Sequence, residues 1–335
     1  MIKNFVKKIY VLNITSRFLD FFAKPWKGNG VILVYHRILP DDKMKEDLKL
    51  GLAVSCSQFD KQIKLLKERY SLVSIDNFIQ NINKKNNFTV TITFDDGYKD
   101  NLKYALPILE KYNVPATIYI STRFLEKKVE MWWYELKRLV EKNTSLKFQH
   151  KNKNFSFILE NKKQKEKGFK EIRKILMNLE KNEQTDILEK MTFNKERNDY
   201  SKICLTLDEV KILDKNPLIT IGSHSHNHLN FKILKTQDLL FEVKQSIEIL
   251  EKLVNHKIKH FAYPYGGANE ASEREYDLLK SFNLLSAVTS ISHPIKKINL
   301  FALPRIYVGA NTCEKSLINH ISGFYNFLYK FFLKN

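Results

Sequence analysis

Short apolar runs alternate with amphipathic stretches along most of this chain, and that alternation constrains the fold more than any other feature. About seven runs have the length of buried strands, over residues 31–38, 89–96, 116–121, 218–222, 260–267, 284–291 and 303–308. The stretches between them, such as 57–70, place apolar residues on one helical face. Strands that alternate with helices pair in parallel, so the sequence predicts an α/β fold, a distorted (β/α) barrel of about seven parallel strands.

The alternation breaks at about residues 123–203, where an aromatic helical pattern is followed by a Lys- and Asn-rich stretch. We interpret this stretch as a helical insertion into a barrel domain of residues 29–312. It could form a lid or binding surface, or a partly mobile excursion. Residues 1–28 and 313–335 are basic and aromatic with helical spacing, so they predict amphipathic helices that either lie on a membrane or pack on the domain.

The composition limits the partners and the compartment. The 56 Lys and Arg exceed the 37 Asp and Glu, giving a formal net charge of +19. This favours nucleic acid, an anionic membrane surface or a phosphorylated substrate, unless it only reflects a Lys-rich solvated surface. The basic residues are diffuse and match no nucleic-acid-binding module, so we expect no nucleic acid partner. The three cysteines are scattered, which suits a reducing compartment. The sequence shows no signal-peptide core and no run near the roughly 20 apolar residues of a membrane span. We therefore expect a cytoplasmic protein, with the inner membrane face as a candidate location.

Two carboxylates end the run at 89–96. Asp95 and Asp96 stand directly before Gly97. Adjacent like charges are costly unless a cation or a reaction needs them, although Asp-Asp-Gly is also ordinary turn chemistry. Successive side chains on a strand point to opposite faces, so one carboxylate could bind a metal while the other acts on substrate or water. His36 ends another apolar run, where a lone histidine is usually structural.

A histidine-rich segment follows the run at 218–222. His224 and His228 are four residues apart. A helical turn there would bring both imidazoles to one side about 6 Å apart, whereas His226 should point away. With one carboxylate they would form a two-histidine, one-carboxylate metal site with open positions for water and substrate. Active sites of parallel barrels lie at the C-terminal strand ends, so these histidines are expected beside the aspartates.

These segments together resemble the polysaccharide deacetylase family, which is carbohydrate esterase family four, the nodulation-factor deacetylase type. The motifs are Thr93-Phe94-Asp95-Asp96-Gly97, His224-Ser225-His226-Asn227-His228 and Ala262-Tyr263-Pro264-Tyr265. The resemblance implies a metal site of Asp96, His224 and His228, usually occupied by zinc. It also implies that Asp95 is the general base and that the backbone N–H of Tyr265 helps to hold the oxyanion.

Two departures from the family pattern concern the partner of the base and the general acid. Ala262 stands where the third motif has an arginine, and no clear late His-Asp motif is present. The early Tyr35-His36 pair resembles a motif of bacterial exopolysaccharide and lipid-linked-glycan deacetylases, in which the order of the motifs is permuted. This resemblance implies His36 as the general acid, with His293 as the alternative. Arg305 would take over the missing arginine's task of pairing with the base.

The expected activity is metal-dependent removal of the N-acetyl group from an N-acetylhexosamine of a bacterial surface polysaccharide or its lipid-linked precursor. The expected cofactor is a divalent metal, Zn²⁺ by resemblance. The expected partners are an N-acetylated glycan or lipid-linked sugar and an anionic membrane surface. Two other readings stay open: an O-acetyl esterase acting on a glycan, and a glycan-binding barrel with impaired catalysis.

Overall fold

The computed structural model describes residues 28–46, 50–84, 88–192, 198–293, 295 and 298–325. The helix predicted over 1–28 lies outside the described residues except at its last position, and so does the 326–335 part of the helix predicted over 313–335. Within the described ranges, no helix is both long and apolar enough to span a membrane.

Twelve strands and ten α-helices make up the regular structure of the described residues. The strands are β1 (Gly30–Tyr35), β2 (Arg37–Leu39), β3 (Ala53–Ser55), β4 (Ser71–Leu72), β5 (Thr89–Phe94), β6 (Ala116–Ile120), β7 (Ser145–His150), β8 (Lys153–Ile158), β9 (Ile219–Ser223), β10 (His260–Ala262), β11 (Ser286–Val288) and β12 (Arg305–Tyr307). The helices are α1 (Cys56–Arg69), α2 (Ile75–Asn81), α3 (Leu106–Tyr112), α4 (Trp132–Lys142), α5 (Lys162–Leu176), α6 (Lys181–Thr192), α7 (Leu207–Asp214), α8 (Thr236–Val254), α9 (Glu273–Leu279) and α10 (Glu314–Ile321).

Seven parallel strands form a nearly closed barrel in the order β11-β10-β9-β6-β5-β1-β12, with β4 paired to the start of β5. A parallel bridge between Val288 and Leu303, just before β12, brings the two ends of this order together. Helices surround the strands. The predicted α/β barrel of about seven strands is therefore confirmed.

The central strands are buried on both faces, which explains why their sequences read as continuous apolar runs. Leu33 of β1 belongs to an apolar cluster that includes Phe59 of α1, on the outside of the barrel. The next residue toward the N-terminus, Ile32, belongs to a different cluster with Tyr119 and with Phe78 of α2. Successive residues of one strand thus join two cores, one between strands and helices and one within the barrel.

The segment between β6 and β9 contains α4, α5 and α6 and also an antiparallel hairpin of β7 and β8. The expectation of a purely helical insertion missed this hairpin. Its signal is the alternation of Leu146 and Phe148 with polar residues, answered by Phe155 and Phe157 on the partner strand. The rings of Phe148 and Phe155 stack with centroids 4.9 Å apart. Most members of one apolar cluster come from this segment, together with Tyr98, which follows β5, whereas the boundaries drawn at residues 123 and 203 stay predictions.

Two local helix predictions have clear outcomes. The sequence Thr206-Leu207-Asp208-Glu209 has the pattern of a capping box, and Thr206 and Glu209 form it at the start of α7. Pro107 lies within a helical pattern and predicts a kink. The structure instead has a π-helical turn over Asn101–Ala105 that leads into α3. Pro107 lies in the first turn of α3, where its missing N–H has no helical partner to lose.

Candidate active site

The chain turns sharply at the C-terminal end of β5, and this turn sends the two carboxylates in different directions. The N–H of Asp95 donates to the carbonyl oxygen of Tyr35 in β1, at 3.1 Å. Asp96 and Gly97 then adopt φ values of 75° and 82° in the left-handed region. Aspartate tolerates this region better than most residues, and such backbone strain concentrates at functional sites.

Asp95 is held by Arg305, the first residue of β12. The guanidinium Nη1 and Nη2 donate to the two carboxylate oxygens at 2.7 Å each, and Nε donates to the carbonyl oxygen of Thr289 at 2.8 Å. Arg305 is fully buried. Burial alone would raise the pKa of Asp95, but Arg305 and His224 outweigh it and lower that pKa. Asp95 is therefore a carboxylate at neutral pH, fixed in a two-point charge-assisted contact.

The second carboxylate, Asp96, faces two imidazoles. Its Oδ1 lies 3.2 Å from His228 Nε2 and 3.5 Å from His224 Nε2. One ligand atom from each of the three buried residues lies within 4.8 Å of the others. Burial would raise the pKa of Asp96, yet the imidazole contacts hold it well below its ordinary value. Despite these neighbours, Asp96 Oδ1 makes no hydrogen bond of normal geometry.

The loop that carries the two histidines is not a helical turn, so that expectation is wrong. Ser225 and His228 have φ values of 65° and 55°, outside the helical region. Glu242 of α8 fixes the loop, because its carboxylate accepts the N–H groups of His226 and Asn227 at 3.1 Å and 2.7 Å. These bonds replace those of a helix. The imidazole rings of the metal-site pair nevertheless lie close together, with centroids 5.0 Å apart.

Two contacts orient the histidines of this loop. The Nδ1 of His224 lies 2.7 Å from the carbonyl oxygen of Ala262, which leaves Nε2 to face Asp96. Such a contact on the far ring nitrogen is typical of metal-binding histidines. His226 points away as expected, since its Nδ1 lies 2.8 Å from the hydroxyl of Thr122.

A cavity of about 370 Å³ opens at this end of the barrel. Among the residues that line it from the barrel, we refer to six as the barrel wall: His36, Asp95, Asp96, His224, His228 and Tyr265. We refer to those from the inserted helices α4 and α5 as the insertion wall: Trp132, Trp133, Phe169 and Arg173. A cavity of this size with converging polar groups on one side suits a small ligand such as a sugar residue.

The structure separates the two candidates for the general acid. His36 lies between β1 and β2 and lines the cavity, and its carbonyl oxygen accepts a bond from Asn101 Nδ2 at 2.8 Å. Its Nδ1 is buried without a hydrogen-bond partner among the described residues. Burial lowers the pKa of His36 more than Asp96 raises it. His293 is exposed and does not line the cavity.

Tyr265 occupies the turn after β10 with a φ of 59°. Its ring lies against His228 with centroids 4.6 Å apart, and its hydroxyl accepts a bond from Trp132 Nε1 at 3.1 Å. The backbone N–H of Tyr265 forms no hydrogen bond with another described residue. Tyr265 thus joins the two walls and offers a backbone donor near His228 and the other two residues of the candidate metal site.

Three contributors to the site were not recognised in the sequence. Glu242 shares the buried face of α8 with Leu239 and Val243, and an acid on an apolar helix face was the available signal. Phe169 and Arg173 are one turn apart on α5, and nothing in their local sequence indicates that they reach the cavity.

Several solved structures share this architecture. The Streptococcus pyogenes deacetylase PplD, in complex with acetate, is 20% identical with a TM-score of 0.57, covering 87% of this chain and 97% of that chain. A Bacillus cereus polysaccharide deacetylase is also 20% identical, with a TM-score of 0.55 and coverage of 87% and 68%. IcaB from Ammonifex degensii is 15% identical, with a TM-score of 0.54 and coverage of 88% and 97%. At these identities the likeness shows the fold alone, a nearly closed barrel of parallel strands surrounded by helices.

Sequence comparison defines the family. Residues 82–280, more than half of the chain, match the polysaccharide deacetylase family, so this chain belongs to that family and the resemblance drawn from the motifs is confirmed. The Bacillus subtilis protein YxkH, whose name describes a polysaccharide deacetylase, is 37% identical over 57 residues. That match spans 17% of this chain and only 20% of YxkH.

Proposed function

We propose that this protein removes the N-acetyl group from an N-acetylhexosamine of a bacterial surface glycan or of its lipid-linked precursor, by metal-assisted hydrolysis that releases acetate. The observation that carries the proposal is one cavity containing an arginine-held carboxylate, Asp95, beside three converging ligand atoms. Family membership supports deacetylase chemistry in general terms. The sugar and the acetamide bond are our inference.

The residues present fit a divalent metal ion, and their donor set fits zinc. Asp96, His224 and His228 would supply one carboxylate oxygen and two imidazole nitrogens, which leaves positions for water and substrate. Asp96 Oδ1 is a buried carboxylate oxygen without a hydrogen bond of normal geometry. A bound cation would give this oxygen the partner that it lacks. When bound, such an ion lowers the pKa of a water molecule and polarises a carbonyl group.

Asp95 is suited to the role of general base. Arg305 keeps it ionised and directs both of its oxygens, so that Asp95 can accept the proton of the attacking water without reorienting. The same contact performs the task that an arginine of the third motif performs in the family pattern. The two groups come from strands at different places in the chain and meet only in the folded barrel.

The backbone N–H of Tyr265 and the imidazole of His36 are suited to the two remaining tasks. The N–H can donate to the oxygen of the tetrahedral intermediate, where a fixed donor is most effective. The imidazole can protonate the amine as it leaves, which yields acetate and an amino sugar. Because burial lowers the pKa of His36, this group is neutral at rest and must take up a proton during the reaction before it can donate one.

Acetate release tests this proposal directly. Zinc-loaded protein would be assayed with an N-acetylhexosamine oligosaccharide, its lipid-linked counterpart and an O-acetylated xylan, beside the Asp95→Asn variant. We expect release from the N-acetylated compounds that the variant loses. Release from the O-acetylated glycan alone would establish an esterase instead. Absence of release from every compound, with metal bound at one ion per chain, would favour the glycan-binding reading.

We also propose that the protein acts at the anionic inner face of a membrane, where a lipid-linked sugar would be presented. The net charge of +19 supports this location. Flotation of the full chain with vesicles of anionic and of neutral phospholipid tests it. Binding to the anionic vesicles should be strong at low salt and weaken as salt screens the charges. Absence of binding to anionic vesicles at low salt would refute the location without affecting the proposed chemistry.

A further inference from the structure

Helix α5 brings a strong positive charge to the cavity. Its sequence contains seven Lys and Arg against two Glu. Gly168, Ile172 and Leu176 are buried and anchor the helix in the insertion. Phe169 and Arg173, separated by one helical turn, both line the cavity. The helix thus places one aromatic ring and one guanidinium in the wall that faces the proposed metal site.

The guanidinium of Arg173 differs from that of Arg37, which follows the cavity residue His36, and from that of Arg305, which holds Asp95. Arg37 donates to Asp100 at 2.8 Å, and Arg305 is bonded to its own aspartate. Arg173 is exposed, and its guanidinium forms no hydrogen bond or ion pair with another residue of the described ranges. Burial raises the pKa of Glu270, and the charge of Arg173 partly lowers it again. Arg173 therefore carries a free charge at the mouth of the cavity.

Lysines strengthen this charge. Lys170 and Lys174 lie within one turn of Arg173 and are also exposed. Neither forms an ion pair with a described carboxylate. Three cations in one turn repel one another, a cost that a bound anion would relieve. A doubly charged phosphoryl group would relieve more of it than a singly charged carboxylate, and a planar guanidinium can hold two phosphoryl oxygens at once.

We propose that Arg173 is a specificity-determining residue that binds a phosphoryl group attached to the acetylated sugar. A neutral N-acetylhexosamine would need only the aromatic faces of the insertion wall and the groups of the barrel wall. The guanidinium of Arg173 would in addition bind a negatively charged group that is attached to the sugar ring. This inference rests on the proposed function for the identity of the sugar, but binding of the anion can be measured without any catalysis.

The test compares sugars that differ only in charge. Wild type, Arg173→Gln and Lys163→Gln would be assayed with N-acetylglucosamine 1-phosphate and with methyl N-acetylglucosaminide. Lys163 is a matched control, because it carries the same charge on the same exposed helix, about 15 Å along the axis. At physiological salt, a charge at that distance is largely screened. We expect Arg173→Gln to raise KM for the phosphate about tenfold more than it raises KM for the neutral sugar. Lys163→Gln should match wild type.

Four outcomes would overturn the proposal. An equal rise in KM for the neutral sugar would mean that Arg173 supports the cavity or the sugar ring. An equal effect of Lys163→Gln would mean that the whole basic surface acts. Equal binding of N-acetylglucosaminuronate, which carries a carboxylate, would exclude a preference for phosphoryl. A prenyl-diphosphate-linked N-acetylglucosamine in detergent distinguishes recognition of the phosphoryl group from recognition of the lipid. If the protein prefers only this compound, and the Arg173→Gln variant keeps that preference, the protein recognises the lipid and the proposal fails.

Calorimetry keeps this inference separate from the proposed function. The Asp95→Asn variant would be titrated with the sugar phosphate and with the neutral sugar, each with and without the Arg173→Gln change. Tighter binding of the phosphate that depends on Arg173 would support the anion site even if no substrate releases acetate. Equal binding of both sugars would reject the anion site even if acetate is released from each.

Discussion

The two walls of the cavity differ in how their side chains are held in place. In the barrel wall, charged groups stand at strand ends whose register is fixed by neighbouring strands, and Asp95 is held at two points by Arg305. In the insertion wall, aromatic rings and Arg173 stand on helices that rest on an apolar cluster formed mostly by the insertion itself. Chemistry needs fixed atoms, whereas substrate choice can vary with a separately packed segment. The comparison assigns turnover to the barrel wall and binding to the insertion wall.

Removal of a metal ligand should produce the largest effect. His228→Ala should abolish both metal binding and acetate release, because the ion and its water are lost together. The loss should exceed the roughly 10²–10⁴-fold typical of a missing general base. Metal content by mass spectrometry and turnover would be measured side by side. His226→Ala is the matched control from the same loop and should keep its metal; a variant of His228 that retains full metal and activity would rule out the assigned site.

Asp95→Asn should lower kcat by roughly 10²–10⁴-fold with little change in KM, because the base is lost while the cavity keeps its shape. The variant leaves Arg305 buried without its charge partner, so we also expect the free energy of unfolding to fall by about 3–5 kcal/mol. Kinetics would be measured well below the melting temperature found by calorimetry. A variant that loses affinity but keeps kcat would break the assignment of turnover to the barrel wall.

A change in the insertion wall should have a smaller effect of a different kind. Phe169→Ala removes one aromatic face from the cavity and should raise KM about 2–10-fold while kcat stays near wild type. Phe155→Ala, in the β7–β8 hairpin outside the cavity, is the matched control and should leave both constants unchanged. If Phe169→Ala instead reduced kcat alone, the insertion would take part in turnover and the division between the walls would be wrong.

The smallest expected effect is a change in the stability of the protein, not in its activity, and it arises at a histidine in the helices outside the barrel. His320 of α10 packs against Tyr325, with ring centroids 4.4 Å apart, and burial lowers the pKa of His320 from 6.5 to about 4. The unfolded chain takes up a proton below pH 6.5 that the folded protein accepts only near pH 4. Stability from this residue is thus complete above pH 6.5 and is lost as the pH falls toward 4.

The expected loss is about 1 kcal/mol at pH 5.5. Urea unfolding of wild type and His320→Gln at pH 7.5 and pH 5.5 measures it. The variant should lose less stability than wild type between the two pH values. Equal losses would show that His320 does not titrate differently on folding.

The sequence was sufficient for the features that depend on local pattern. The strands were visible because each is buried on both faces and therefore reads as an apolar run, as β5 does. Asp95 and Asp96 were recognisable as candidates because adjacent like charges at the end of such a run are costly unless a cation or a reaction requires them. Arg305 was more distant in the chain, and only the family resemblance directed attention to it.

Other features depend on packing that no local pattern encodes. The His224–His228 loop departs from a helix because Glu242, on the following helix, captures its N–H groups. The hairpin was hidden because its partly exposed strands lie among Lys-rich helices, where the alternation of Phe155 and Phe157 is short. Arg173 looked like one of many surface cations until the fold turned it toward the cavity.

The bond between Asp95 and Arg305 joins residues 210 positions apart. During synthesis the chain emerges from its N-terminus, so the strand carrying the aspartate leaves the ribosome long before the arginine does. Until β12 emerges, the aspartate lacks the guanidinium that pairs with it. The centre therefore cannot be complete on a nascent chain that stops before β12, and the hydrolysis that we propose must wait until the ribosome has released this strand.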